Sequence, residues 1–270
     1  MKISLHRTRE TLMTRIGRHE LPLLVLPGIA AAAIWTFVEL ADDVSEGDTR
    51  RIDRQLLLAL RNADDPSNPI GPLWMEEVGR DITAFGGTAP LVFITLMAVL
   101  YLLLRWKRRT ALFVLLAVGG GQLLSSVLKF GFDRPRPDLV PHGMDVYTAS
   151  FPSGHAMMSA VTYLTLGALL ARIETRKRIK AYLILVAVTV TVLVGVSRVY
   201  LGVHWPTDVL GGWMAGSAWA AACWTLTIVL QRRGRLEQQP ADGNGEAPDG
   251  TGTAGSDIDR HATDRRQIRH

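Results

Sequence analysis

Ser197-Arg198-Val199-Tyr200-Leu201-Gly202-Val203-His204-Trp205-Pro206-Thr207-Asp208 brings a cation, an imidazole and a carboxylate together between two long apolar runs. Proline suits the first position of a helix, where its missing N–H costs nothing, so Asp208 falls in the opening turn of the run that follows, four residues after His204. An Asp that holds one ring nitrogen fixes the tautomer and leaves the other nitrogen with its lone pair, free to act as nucleophile or base. Arg198 adds a permanent planar cation suited to phosphate oxygens. The same twelve residues would also serve as no more than a capped helix start, so their meaning rests on what flanks them.

What flanks them is apolar. Hydrophobic residues make up 48% of the 270-residue chain and come in runs. Six runs approach or exceed the roughly 20 residues that cross a bilayer core: 21–40, 85–104, 111–130, 156–171, 181–200 and 209–230. The formal charge is +5, but the basic residues sit at the ends of the runs and read as topology signals, which argues against a nucleic-acid partner. The expected fold is all-α, a six-transmembrane-helix bundle. The single cysteine, Cys223, lies inside the last run, so no disulfide framework or thiolate metal site is available.

Residues 1–20 form a basic N-terminus, and the run after them is too long for a signal-peptide core of about 7–15 residues, so it reads as an uncleaved first span. The segment 41–84 carries two short amphipathic pieces, Ile52/Leu56/Leu60 and Trp74/Val78/Ile82. These are expected to be interfacial helices, or to pack on the bundle, in a first outer loop. Gly119-Gly120-Gly121, Ser125-Ser126 and the Gly212/Gly216 pair supply small residues for close helix packing. The basic loops 105–109 and 172–180 should face the cytoplasm, together with the N-terminus. A membrane domain is therefore expected over 21–233. The tail 234–270 lacks large apolar residues and cannot build a core, so disorder is expected there; His6, His19, His261 and His270 read as solvated. There is no internal repeat, and nothing in the pattern specifies an oligomeric state.

With the N-terminus inside, every chemical cluster falls on the outer side, and charge at a membrane edge is costly enough to suggest one shared polar site. Lys129 and Arg136 flank Phe130-Gly131-Phe132-Asp133-Arg134-Pro135 and defy the positive-inside pattern, which suggests an anionic ligand, although a Lys snorkelling at a helix end is the plainer reading. Phe151-Pro152-Ser153-Gly154-His155 precedes the fourth run; Ser153 can be its N-cap, and the open N–H groups of a first turn make an anion site. Gly154 allows close backbone approach, and His155 is placed to give a proton to a leaving group.

Lys129-(six residues)-Arg136-Pro137, Pro152-Ser153-Gly154-His155 and Ser197-Arg198-(five residues)-His204-(three residues)-Asp208 together resemble the three-part signature of the type-2 phosphatidic acid phosphatase superfamily, which includes membrane lipid phosphatases and soluble vanadium haloperoxidases. The resemblance spans about 85–230, with the signature at 129–208, and the six runs point to the membrane branch. Arg134-Pro135 duplicates the Arg-Pro pair, and only the spacing selects Arg136. The resemblance implies that His204 is a nucleophile that becomes phosphorylated, oriented by Asp208, with His155 protonating the leaving group. It implies that Lys129, Arg136, Arg198, the Ser153 hydroxyl and the Gly154 N–H hold the phosphoryl oxygens. No cofactor is required, since phosphoryl transfer depends mostly on positioning and electrostatics.

The function expected is an integral-membrane phosphatase acting on a lipid phosphate or diphosphate at the outer face of a membrane, bacterial if the Ala- and Arg-rich composition is a guide. A phosphotransferase, in which an alcohol intercepts the phosphohistidine, is a second enzyme reading. A transporter or anion-binding membrane protein is the non-enzymatic one, though it has no need of a His204–Asp208 pair. A metal hydrolase is disfavoured because three cations surround the candidate ligands His155, His204 and Asp208.

Overall fold

The computed structural model describes residues 21–138 and 149–232. The expectations for the N-terminus, the tail and the four terminal histidines lie outside the described residues. The described chain forms eight helices: α1 (Leu21–Glu46), α2 (Arg50–Leu58), α3 (Leu73–Ala84), α4 (Thr88–Leu104), α5 (Arg108–Phe130), α6 (Gly154–Ile173), α7 (Lys177–Tyr200) and α8 (Pro206–Arg232). The all-α expectation holds.

Five of these, α1 and α5–α8, are long and apolar enough to cross a membrane. The sixth expected run, 85–104, belongs to a bent pair of helices. Its straight part, α4, is only 17 residues, about 26 Å at 1.5 Å per residue, and α3 leads into it through a 46° bend. The chain presses on α6 and α7 at the bend: a methyl group at Gly86 would lie 2.4 Å from Val194 and 3.3 Å from His155, so only glycine fits there. Gly87 caps α4 with extended backbone, and Pro90 falls in the first turn, where its missing N–H is harmless. Thus α3 and α4 form a bent pair, and Trp74 and Val78 on α3 are exposed, as the interfacial face expected there requires.

Many large aliphatic side chains point outward along the bundle, Leu104 and Leu123 among them, while its interior mixes apolar side chains such as Val114, Met157 and Val161 with many Ala residues and the hydroxyls of Thr95, Ser125, Ser159, Thr162, Thr165 and Thr191. That arrangement suits lipid, where association depends on close packing of small residues and on internal satisfaction of polar groups. Thr95 and Thr191 donate to carbonyls one turn back. Across helices, Trp213 Nε1 donates to Thr191 O (3.1 Å) and Trp219 Nε1 to Ala117 O (2.7 Å). Trp219 lies over Gly120 and Gly121, so this part of the small-residue stretch works as foreseen.

α8 packs on α6 through Gly212 and Gly216, where a Cβ would fall 2.7 Å from Ser153 O and 2.5 Å from Met157 O. Both obstacles are backbone, which cannot swing aside. Gly216→Val should therefore lower the melting temperature of the detergent-purified protein by about 5–10 °C, the consequence of at least about 2–3 kcal/mol of overpacking. An unchanged melting temperature would mean that the two helices can part at no cost.

The segment between α1 and α4 is anchored to the end of α7. Arg61, nearly buried, donates from Nη2 to Tyr200 O at 2.8 Å, and Tyr200 Oη donates to Ile70 O at 2.8 Å. These ties hold α2 and α3 against the loops that carry the charged residues.

Candidate active site

Asp208 is the centre of the cluster. Pro206 does open α8, and two residues later the Asp208 carboxylate turns back so that Oδ2 accepts the Trp205 N–H at 2.9 Å, the reach of a third-position acidic residue in a capping box. The same oxygen accepts the Ser150 hydroxyl and faces His204 Nδ1 at 3.3 Å. Oδ1 accepts Arg134 Nη1 at 2.6 Å. Asp208 and His204 are 0% and 1% exposed.

The geometry fixes the tautomer of His204. Arg136 Nη1 lies 3.2 Å from Nε2 and also donates to Val203 O at 3.1 Å. A guanidinium has no acceptor, so Nε2 must carry the lone pair and Nδ1 the proton that faces Asp208. His204 sits in the short loop before α8, and burial pushes its pKa down to about 4; Asp208 opposes that shift, while Arg136 and Arg198 add to it. At neutral pH the imidazole is uncharged. Its reactive nitrogen points at a cation.

The other foreseen residues lie in the neighbourhood of His204 and Asp208. Ser153 stands at the N-cap of α6, as expected, with extended backbone, but its hydroxyl makes no capping bond. The Ser153 Oγ is buried without a partner, and its N–H goes to Asp208 O at 2.9 Å. A polar oxygen left unmatched in a buried site is costly unless a ligand completes it. Gly154 begins α6, and a methyl group there would lie 3.5 Å from Lys129 Nζ, so the ammonium rests against the glycine. The first-turn N–H groups of α6 have no acceptor within the helix. His155 interacts electrostatically with Arg198, His204, Lys129 and Arg136. Arg198, in the last turn of α7, donates from Nη1 to Thr83 Oγ1 at 3.2 Å, and its buried Nε has no partner. Among the described residues, no three His, Cys, Asp or Glu side chains gather as a metal site.

Three residues that sequence reasoning passed over complete the cluster. Arg134, set aside in favour of Arg136, bridges two carboxylates: Nη1 to Asp208 and Nη2 to Asp53 at 2.5 Å. Asp53, on α2 and 0% exposed, also accepts the Thr207 N–H at 3.0 Å and the Thr207 hydroxyl at 2.6 Å. Ser150 is the third. The Arg-Pro-Arg-Pro repeat thus divides its labour, with Arg136 at the imidazole and Arg134 behind the carboxylate. A second copy of a motif residue was the available signal for Arg134; Asp53 offered none, being one of several charges in Arg50-Arg51-Ile52-Asp53-Arg54.

The apolar helices thus gather an imidazole, a carboxylate and several cations close together, an arrangement that phosphoryl transfer in a membrane can use. The chain belongs to the PAP2 superfamily, whose model matches residues 110–232, and it is a phosphoric-ester hydrolase. It is similar to phosphatidylglycerophosphatase B of Bacillus subtilis, 36% identical over 166 residues that cover 58% of this chain and 80% of the relative. It is also similar to an undecaprenyl-diphosphatase of Sulfolobus acidocaldarius, 32% identical over 43% of this chain and 48% of the relative. The crystal structure of a transmembrane PAP2-type phosphatidylglycerolphosphate phosphatase from Bacillus subtilis superimposes with a TM-score of 0.65 at 28% identity, covering 75% of this chain and 98% of that one.

Proposed function

We propose that this enzyme hydrolyses a lipid phosphate monoester or diphosphate through a phosphohistidine on His204. The observation that carries the reading is the orientation of that ring: Asp208 takes the Nδ1 side and Arg136 the Nε2 side, so the lone pair lies beside a cation able to hold the phosphoryl group. Nε2 attacks phosphorus as the bond to the lipid oxygen breaks, and His155 protonates the departing oxygen. Lys129, Arg136, Arg198, the Ser153 hydroxyl and the Gly154 N–H stabilise the charge on the equatorial oxygens. Water, deprotonated by His155, then attacks the phosphohistidine, and the N–P bond breaks to release phosphate.

The substrate class follows from the setting. Charged residues at the ends of membrane helices are easier for a lipid to reach by lateral diffusion than for a dissolved sugar phosphate, and the named activities of the relatives support a lipid. Polyprenyl diphosphate, phosphatidylglycerol phosphate and phosphatidate are the candidates, with polyprenyl diphosphate first for a bacterial enzyme. The alternation of basic loops supports a site on the outer face, with the basic N-terminus, residues 1–20, inside; the membrane domain runs over 21–233 and the tail 234–270 is dispensable for turnover. Brief incubation with labelled lipid phosphate and rapid denaturation should trap phosphate on the wild-type protein in an acid-labile, base-stable bond. Absence of label during steady turnover would remove the covalent intermediate.

Activity should persist undiminished in excess chelator, because the cradle consists of protein cations and N–H groups, and vanadate should compete with substrate. Inactivation by chelator that divalent metal reverses would reject this cradle as sufficient. Hydrolysis also differs from transfer to an alcohol, and phosphate release that falls in the presence of an alcohol while a new phosphate ester forms would identify a phosphotransferase.

A further inference from the structure

A cleft of about 760 Å³ opens beside the cluster, between the end of α1, the start of α2 and the segment that follows α5. It shares Arg136, 3.2 Å from His204 Nε2, and Trp205 with the surroundings of His204, so it borders the site. Its volume lies within the roughly 300–1,000 Å³ range of pockets that hold a whole small molecule, far more than one phosphoryl group fills. Four guanidiniums line it, those of Arg50, Arg54, Arg134 and Arg136, against two carboxylates, Asp133 and Asp138. Arg134 is committed to Asp53 and Asp208. Arg50 and Arg54 are not: among the described residues neither forms a salt bridge. They stand one turn apart on α2, a like-charge spacing that disfavours the helix by itself. Apolar walls from Val44, Phe132 and Trp205 complete the lining.

We propose that this cleft is a second anion subsite, in which Arg50 and Arg54 bind a further negatively charged group of the lipid head while the phosphoryl group that reacts lies at the α6 terminus. The inference rests on the lipid-phosphatase reading and narrows it to lipids whose head carries two anionic groups. That second group has two chemical sources, the retained phosphate of a lipid diphosphate or a phosphodiester within the head. Guanidinium forks serve both, since each presents paired anionic oxygens. Phosphatidate, with one phosphate, would leave the cleft unfilled.

The test compares kcat/KM of the full-length protein in detergent micelles for a polyprenyl diphosphate, phosphatidylglycerol phosphate and phosphatidate, in wild type, R50A/R54A and R50K/R54K. Both arginines are exposed, so the variants should elute and melt like wild type. The alanine pair should lose at least about tenfold more kcat/KM on a two-anion lipid than on phosphatidate, mostly through KM, and the lysine pair should restore most of it. A loss confined to the diphosphate assigns the subsite to the retained phosphate, and one confined to phosphatidylglycerol phosphate assigns it to the diester. Equal changes on all three lipids in a protein that elutes and melts like wild type, or no change on any, would overturn the subsite while leaving the phosphatase reading intact. A wild-type protein that hydrolyses none of them would overturn both.

Discussion

His204→Ala will reduce kcat by on the order of 10⁵-fold in protein that inserts and melts normally, and Asp208→Asn by about 10³–10⁴-fold, since losing the group that orients a nucleophile costs less than losing the nucleophile. Labelled phosphate should no longer be trapped on the alanine variant. The same residue sets the acid side of the pH profile. Burial holds its pKa at about 4, so the lone-pair form persists down to that pH and kcat/KM should fall only as the pH drops through about 4. A titration near the ordinary value of 6.5 would place the fall two units higher. Stability follows the same proton. Between about 4 and 6.5 the unfolded chain binds a proton at this position that the folded chain refuses, so His204 makes the fold progressively less stable as pH falls across that window. Retention of most wild-type activity by His204→Ala, or an acid limb centred above pH 6, would remove His204 as the attacking group.

The membrane bundle was legible because apolar runs and basic loop ends are local features, readable without knowing which helix touches which. The candidate site residues could be proposed for a related reason: Lys129, Arg136, Ser153, Gly154, His155, Arg198, His204 and Asp208 lie next to run ends, where a polar residue is costly and therefore informative. Their roles came from resemblance as much as from spacing. The supporting layer was hidden. Asp53 lies in a charged stretch where a solvated carboxylate is the ordinary expectation, and its partner Thr207 is 154 residues away. Its burial follows from a face of α2 that the apolar pattern did not mark, since the helix buries Asp53 and Leu57 and leaves Ile52 and Leu56 exposed. Only long-range packing decides that a polar residue faces inward. The bend between α3 and α4 was hidden too, because Gly86-Gly87 reads as a loop until Val194 and His155 are placed against it.

Arg134→Ala should be the most damaging substitution outside the residues quoted in the signature. Its guanidinium is a fork between Asp53 and Asp208, both fully buried, with a further bond from Nη1 to Thr207 Oγ1 at 2.8 Å and its plane near the Trp205 ring. Removing it leaves two buried carboxylates with their shared cation gone. Breaking a buried ion pair from one side costs about 3–5 kcal/mol, enough to lower the melting temperature by about 10 °C. The effect on catalysis has a separate origin. Without Arg134, Oδ1 of Asp208 loses its ion-pair partner while Oδ2 keeps only the Trp205 N–H and the Ser150 hydroxyl, so the carboxylate is held less firmly toward His204 Nδ1, and kcat should fall about 10²–10³-fold with little change in KM. Lysine cannot substitute, because one ammonium does not present two parallel donors to two acids, so Arg134→Lys should recover part of the stability and little of the rate. Asp53→Asn separates the two effects. It keeps the Arg134–Asp208 pair and weakens only the outer anchor, so it should cost stability with less than about a tenfold loss of kcat, and a double-mutant cycle should show Arg134 coupled more strongly to Asp208 than to Asp53. An Arg134→Lys enzyme with wild-type kcat would mean that bulk positive charge, not the fork, holds Asp208 in place.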